Sequence, residues 1–415
     1  MIPRSLLVAL VVVLAGLPAH GQEISWSFGP PMPIANSEFG AAAIDGKIYA
    51  VGGFLERNEH ALLILDPRTA IWSRGPDLPE GTHHAGVAAV GSKLYVISGT
   101  SIENTMVQIF DSASGEWSRG ADMPTARTAL AMAVLGGRIH AIGGSSDIFS
   151  GSAKTAHEVY DPATDSWESR APLPFRSEHV LAAVIDGKIY VVGGRDNLVT
   201  RTRTQIYDPA TDSWSAGAPL AVAASGHAVE AVGGKLYALG GENLVSGTVS
   251  NQLQRYDPAA NEWTLLEPAP QRVHGVASAV IGDRIFFLGG ASIAGSAFGS
   301  NIVQILNLPA GEGGGGPGDG QLEAPKKLKV KVRGAGRVRL KWRDRSKDET
   351  GFQVQMRRAG KKKFKRVASV SANIKKVVLT GLKPGTTYTF RVRALAPGRK
   401  SDFTNEVTVT TEPAN

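Results

Sequence analysis

Short, regularly spaced apolar stretches run through most of the chain. Lys188-Ile189-Tyr190-Val191-Val192 follows the turn pair Asp186-Gly187 and stops at Gly193-Gly194, which is the pattern of a strand entered through a hairpin and buried along most of its length. A small-residue apolar segment precedes it. A strand ending in Tyr-Asp-Pro and a tryptophan strand follow, so four hairpin-linked strands are predicted per unit. The unit recurs. Diglycines at Gly52-Gly53, Gly143-Gly144, Gly193-Gly194, Gly240-Gly241 and Gly289-Gly290, with Ser98-Gly99 between the first two, are spaced by 46, 45, 50, 47 and 49 residues. Tryptophans 26, 72, 117, 167, 214 and 263 keep the same beat, and YDPATDSW occurs verbatim at Tyr160 to Trp167 and Tyr207 to Trp214. Three markers in phase define a repeat architecture.

A four-stranded unit of this length resembles the Kelch repeat over Ile24 to Leu308, which implies the blades of a β-propeller. The phase suggests how the ring closes. Trp26 precedes any diglycine, whereas the unit with Gly289-Gly290 and Ile302 to Leu306 has no tryptophan after it. Ile24 to Phe28 is therefore expected to supply the outer strand of the blade built from His274 to Leu306, giving six blades and no free edge. Diglycines, Asp-Pro pairs and tryptophans are read as scaffold: close backbone approach, turn chemistry and inter-blade filling.

From Ala324 the pattern becomes strict alternation, as in Val338-Leu340-Trp342 and Tyr388-Phe390-Val392, the mark of half-buried sandwich strands. Trp342 on an early strand and Leu379-Thr380-Gly381-Leu382-Lys383-Pro384-Gly385-Thr386-Thr387-Tyr388 resemble the core tryptophan and tyrosine corner of fibronectin type III domains, over Pro325 to Thr411. The expected fold is all-β, a six-bladed Kelch-type β-propeller followed by a fibronectin type III β-sandwich.

Charge divides the chain at the same place. Residues 323–415 hold 25 Lys+Arg against 7 Asp+Glu, +18, while residues 1–322 carry −10, although the whole chain is only +8. Gly-rich residues 309–322 read as a flexible tether between residues 22–308 and 323–415. Met1 to Gly21, with Arg4, an apolar run from Leu6 to Leu17 and small residues before Gln22, reads as a cleaved secretory signal and places the mature protein outside the cytoplasm, secreted or periplasmic. The absence of cysteine excludes disulfides, thiolate metal sites and a cysteine nucleophile, and it fits a bacterial exterior better than an animal one.

Candidate chemistry falls in two places. By resemblance, the loops entering the inner strands and those after each diglycine share one propeller face, which nominates Arg57, Asn58, His84, Arg127, Arg176, His179, Arg195, Asn197, Asn243 and His274 as ligand-binding residues for a glycan or protein. Five of nine histidines, His83, His84, His179, His227 and His274, fall near one repeat position. They are read as repeat structure rather than metal ligands, and neither metal nor cofactor is expected. Galactose oxidases resemble this layout, but their radical copper site needs a Tyr–Cys crosslink that this chain cannot form. Periplasmic sialic-acid mutarotases give the enzymatic alternative, with Glu178, Arg176 and Arg127 as its acid/base and carboxylate-pairing candidates.

The second place is the sandwich. Lys327, Lys329, Lys331 and Arg333 on one strand, Arg337, Arg339 and Lys341 on the next, and the Lys361-Lys362-Lys363 turn form a basic face expected to engage an anionic polysaccharide or cell-surface polymer. The functional expectation is a noncatalytic binding or adhesion protein.

Overall fold

The computed structural model describes residues 24–54, 59–100, 104–148, 151–309, 322–346, 349, 351–371, 374–396 and 399–413. The expected signal over 1–21, tether residues 310–321, and Arg57 and Asn58 lie outside the described residues. Among those described the secondary structure is all strand, and no helix is long and apolar enough to cross a membrane.

Six four-stranded antiparallel sheets occupy the first part of the described chain. Their first strands are Gly40–Ile44, Gly86–Val90, Ala131–Leu135, Leu181–Ile185, Ala228–Val232 and Ala277–Ile281. Each packs against the next, and the last packs against the first, so the sheets form a closed propeller-like ring. Small residues on these strands, such as Ala42, Ala88, Ala133 and Ala183, let six backbones converge without collision. Ser25–Phe28 pairs antiparallel with Val303–Asn307, Trp26 opposite Leu306. The sixth sheet thus joins the two ends of the repeat region, as its unpaired tryptophan suggested.

Side chains stitch neighbouring sheets. The indole N–H of Trp72, Trp117, Trp167, Trp214 and Trp263 each donates to a backbone carbonyl 41 to 46 residues earlier, just past the outer strand of the preceding sheet. Burial of the indole and satisfaction of its single donor are met together. Gln108, Gln205, Gln254 and Gln304 occupy one repeat position and each holds a neighbouring loop through paired amide bonds, Gln108 with the backbone of Glu80 for example.

The C-terminal sandwich has a three-stranded sheet, Lys326–Val332, Val338–Arg343 and Lys376–Leu379, facing a second sheet built on Gly351–Arg358 and Thr387–Ala396. Its core gathers Leu340, Trp342, Phe352, Val354, Phe390 and Val392. The Tyr388 hydroxyl accepts from the Lys383 amide at 3.1 Å, forming the tyrosine corner.

Candidate functional site

The propeller axis carries a feature built wholly from backbone. Glu38, His84, Ala129, His179, Gly226 and Gly275 occupy one equivalent position, just before each first strand. The amide of each donates to the carbonyl of its predecessor, and Glu38 donates to Gly275, at 2.7 to 3.0 Å throughout. All six adopt the left-handed backbone region, with φ between 47° and 58°. Two sheets place glycine there, where this conformation has no steric cost. The others hold Glu38, His84, Ala129 and His179 against a penalty of about 1 kcal/mol each.

Three of those side chains, Glu38, His84 and His179, line a cavity of about 260 Å³, together with the polar Arg195, Glu242 and His274 and the apolar Phe54, Ile148, Leu198 and Leu244. His84 Nε2 lies 3.3 Å from Glu38 Oε2, and His274 Nδ1 lies 3.5 Å from both Glu38 Oε1 and Glu242 Oε2. His179 Nδ1 is 2.5 Å from Glu178 Oε2. Arg195 donates through Nε to Glu178 at 2.5 Å and through Nη1 to Glu242 at 3.0 Å, while its Nη2 is 3.3 Å from His179 Nε2. A carboxylate and a guanidinium this buried are tolerable only when paired, and here each pairs at least twice.

Burial sets the protonation states. It pushes His84 down to about 3, leaving a neutral imidazole near neutral pH. Burial alone would raise the Glu38 carboxyl, but His84, His274 and His179 around it hold it well below the usual carboxylate range. Burial likewise opposes the charge on His274, yet Glu38 and Glu242 raise its pKa above the ordinary imidazole value. Glu178 follows Glu38: desolvation is outweighed by His179 and Arg195, and its pKa is lowered.

Of the residues nominated from sequence, His84, His179, Arg195 and His274 line the cavity. Arg127 does not: it is fully buried and pairs with Glu158, with Nη2 donating to the Ala141 carbonyl at 2.9 Å. Glu158 stands where four other sheets carry glutamine, and Arg127 neutralises that exchange. Glu178 is also fully buried rather than presented to solvent, because Arg195 and His179 use both its oxygens. Arg176 is exposed and pairs with Asp196 at 2.6 Å. The three candidates of the mutarotase alternative therefore do not converge. Asn197 sits at the exposed tip of a two-residue hairpin, and Asn243 caps its own turn by accepting from the Val245 and Ser246 amides.

The five histidines fall into three registers. His84 and His179 are ring residues, His83 and His274 precede the ring, and His227 follows it and is buried away from the cavity. Glu38 was missed from sequence because its sheet contributes no histidine to draw attention to the position. Aligning the six repeats on their diglycines would have placed it beside His84 and His179.

On the sandwich, the strands carrying the basic residues do pair, Lys329 opposite Lys341 and Lys331 opposite Arg339, and Lys341 also faces Lys376 on its other side. A bulge between Lys326 and Lys329 puts Lys327 at φ 57° and out of the ladder. Lys326, opposite Arg343, takes its place in the row. Arg333, Arg337 and Lys361 to Lys363 are exposed at turns.

A KLHDC2/KLHL20/DRC7 Kelch-repeats domain model matches residues 38–220, a Kelch motif model residues 223–270, and a fibronectin type III domain model residues 323–410. No curated protein matches the sequence. A solved structure titled "Structure of YjhT" is similar in fold at a TM-score of 0.58 and 15% identity, over 66% of this chain and 95% of that one. The ring of four-stranded sheets, the tyrosine corner and these matches agree: the chain is a Kelch-repeat protein, propeller-like in its repeat region, with a C-terminal fibronectin type III domain.

Proposed function

We propose that the protein is a noncatalytic binding protein working outside the cytoplasm, secreted or periplasmic as its leader-like first residues suggest. Its sandwich grips an anionic polysaccharide or cell-surface polymer, and its propeller mouth takes a glycan or a protein segment. One observation carries the reading. Lys326, Lys329, Lys331, Arg339, Lys341, Arg343 and Lys376 stand exposed on a single sheet face, opposite one another across the strands. Among the described residues none of them has a carboxylate within ion-pairing distance, whereas Arg345, Arg357 and Arg391 elsewhere on the sandwich do. Like charges across strands destabilise by several tenths of a kcal/mol per pair, and a polyanion lying along the face reverses that sign.

At the mouth, a lining that mixes apolar side chains with hydrogen-bonding ones suits a sugar ring or a protruding side chain. The dispersal of Arg127, Arg176 and Glu178 into separate pairs favours binding over turnover.

The test is heparin binding by the full chain as a soluble polyanion probe. Affinity should fall steeply between about 50 and 200 mM salt, since screening over roughly 10 Å acts on exposed charges. The quadruple variant Lys329→Glu, Lys331→Glu, Arg339→Glu and Lys341→Glu should lose binding with an unchanged melting curve. Binding that survives the four reversals, or no binding at low salt, overturns the assignment.

A further inference from the structure

The axial ring brings together side chains that the repeat alone does not require. We propose that Glu38, His84 and His179 form a binding site for a first-row divalent metal ion of the zinc and cobalt class.

One donor atom from each of the three lies within 4.8 Å of the others. In the tetrahedral arrangement that zinc prefers, bonds of roughly 2.1 Å set neighbouring donors about 3.4 Å apart, so closing the three side chains by up to about 1.4 Å completes the coordination. The donor set is two imidazoles and one carboxylate, the borderline ligands that such ions prefer over calcium or magnesium. Three protein ligands leave at least one position open, and the open side is the 260 Å³ cavity.

Second contacts orient the ligands. His179 donates its Nδ1–H to Glu178 at 2.5 Å, which leaves the lone pair on Nε2, the carboxylate–histidine arrangement that typifies metal-bound imidazoles. His84 Nδ1 is 2.6 Å from His83 Nδ1, a bond that serves either tautomer and leaves Nε2 aimed at Glu38. Two cationic groups stand beside the site: Arg195, 3.3 Å from His179 Nε2, and His274, whose Nδ1 lies 3.5 Å from Glu38 Oε1. Arg195 is held by Glu178 and Glu242 when an ion takes over that nitrogen, and Glu242 remains beside His274 when the ion draws on Glu38.

The ring backbone fixes where the ligands start: all six of its positions, Ala129 included, share the left-handed conformation, and three of them place Glu38, His84 and His179 donor atoms near one point. Gly275, at the same position, leaves the space that the Glu38 carboxylate fills: a Cβ there would collide with Glu38 Oε1.

The experiment titrates the chelator-stripped full chain with Zn²⁺ by calorimetry and with Co²⁺ by visible absorption. The expected result is one ion per chain, with cobalt d–d bands, and an affinity reduced by on the order of 100-fold or more in His84→Ala and His179→Ala. The isosteric Glu38→Gln should weaken binding with the fold kept. Glu178→Gln, which removes no ligand, should weaken it by about 10- to 100-fold. His60→Ala, outside the cavity, should change nothing. Absence of a stoichiometric ion in the wild-type chain overturns the site, as does binding that persists unchanged in Glu38→Gln and His179→Ala.

Discussion

The Glu38 amide donates to the Gly275 carbonyl at 2.8 Å, joining the first repeat to the last across 237 residues of sequence. On that bond the axial ring closes. Gly275 has φ 58°, and the Glu38 carboxylate lies against the place a side chain would fill. Gly275→Ala should therefore combine left-handed strain with a displaced glutamate and cost about 2 kcal/mol or more. Urea denaturation of the two proteins measures it. An unchanged midpoint would show that the ring tolerates opening.

The second closure is at the rim. Trp26 lies opposite Leu306, packs against Phe287 at 5.9 Å and donates to the Glu267 carbonyl. Deleting Ile24 to Phe28 exposes the Val303–Asn307 edge, so the melting temperature should drop and the protein should associate in a concentration-dependent way. Differential scanning calorimetry with sedimentation velocity checks both.

Arg127 and Glu158 provide a test of charge burial. Glu158→Gln alone restores the glutamine of the other sheets but leaves Arg127 without its counter-ion, at an expected cost of about 3 to 5 kcal/mol. Adding Arg127→Met should recover most of that loss. A double variant no better than the single would mean that the Arg127 bonds to the Thr125 and Ala141 carbonyls outweigh the ion pair.

Glu230 gives a pH dependence. It is the acidic residue on a first strand, bonded to Ser278 at 2.8 Å, and burial raises its carboxyl from 4.5 to about 7. The folded state thus holds a proton that the unfolded chain has released, so this group favours folding most below pH 4.5 and progressively less up to about pH 7. Glu230→Gln should be more stable than wild type at pH 8, by on the order of 1 to 2 kcal/mol once partial exposure is allowed for, and nearly equal at pH 4. Melting temperatures of both proteins across that range decide it.

The scaffold was legible in the sequence because its markers are local. Trp167 and Trp214 each sit in a verbatim copy of one octapeptide, and each makes the same bond to the preceding sheet. The axial site was only half legible. His84 and His179 announce themselves, but what joins them to Glu38 is a contact across the ring, and no spacing along the chain encodes it. Arg127 misled for a related reason. A lone arginine in a loop reads as a ligand contact until Glu158 is seen to occupy the glutamine column opposite it. Lys327 failed at the scale of one residue, because period-two counting cannot foresee a bulge.

The axial ring also governs what the propeller mouth can receive. Six residues linked amide to carbonyl make a closed collar, and Glu38, His84 and His179 of that collar line the cavity. If the mouth takes a glycan or polypeptide as proposed, the closed collar favours a terminus or a side branch over a strand threaded through it. The sandwich poses no such restriction, since its cationic rows extend along an open sheet. Under the proposed function the two parts would then read the same kind of molecule in different ways, one by its ends and the other along its length.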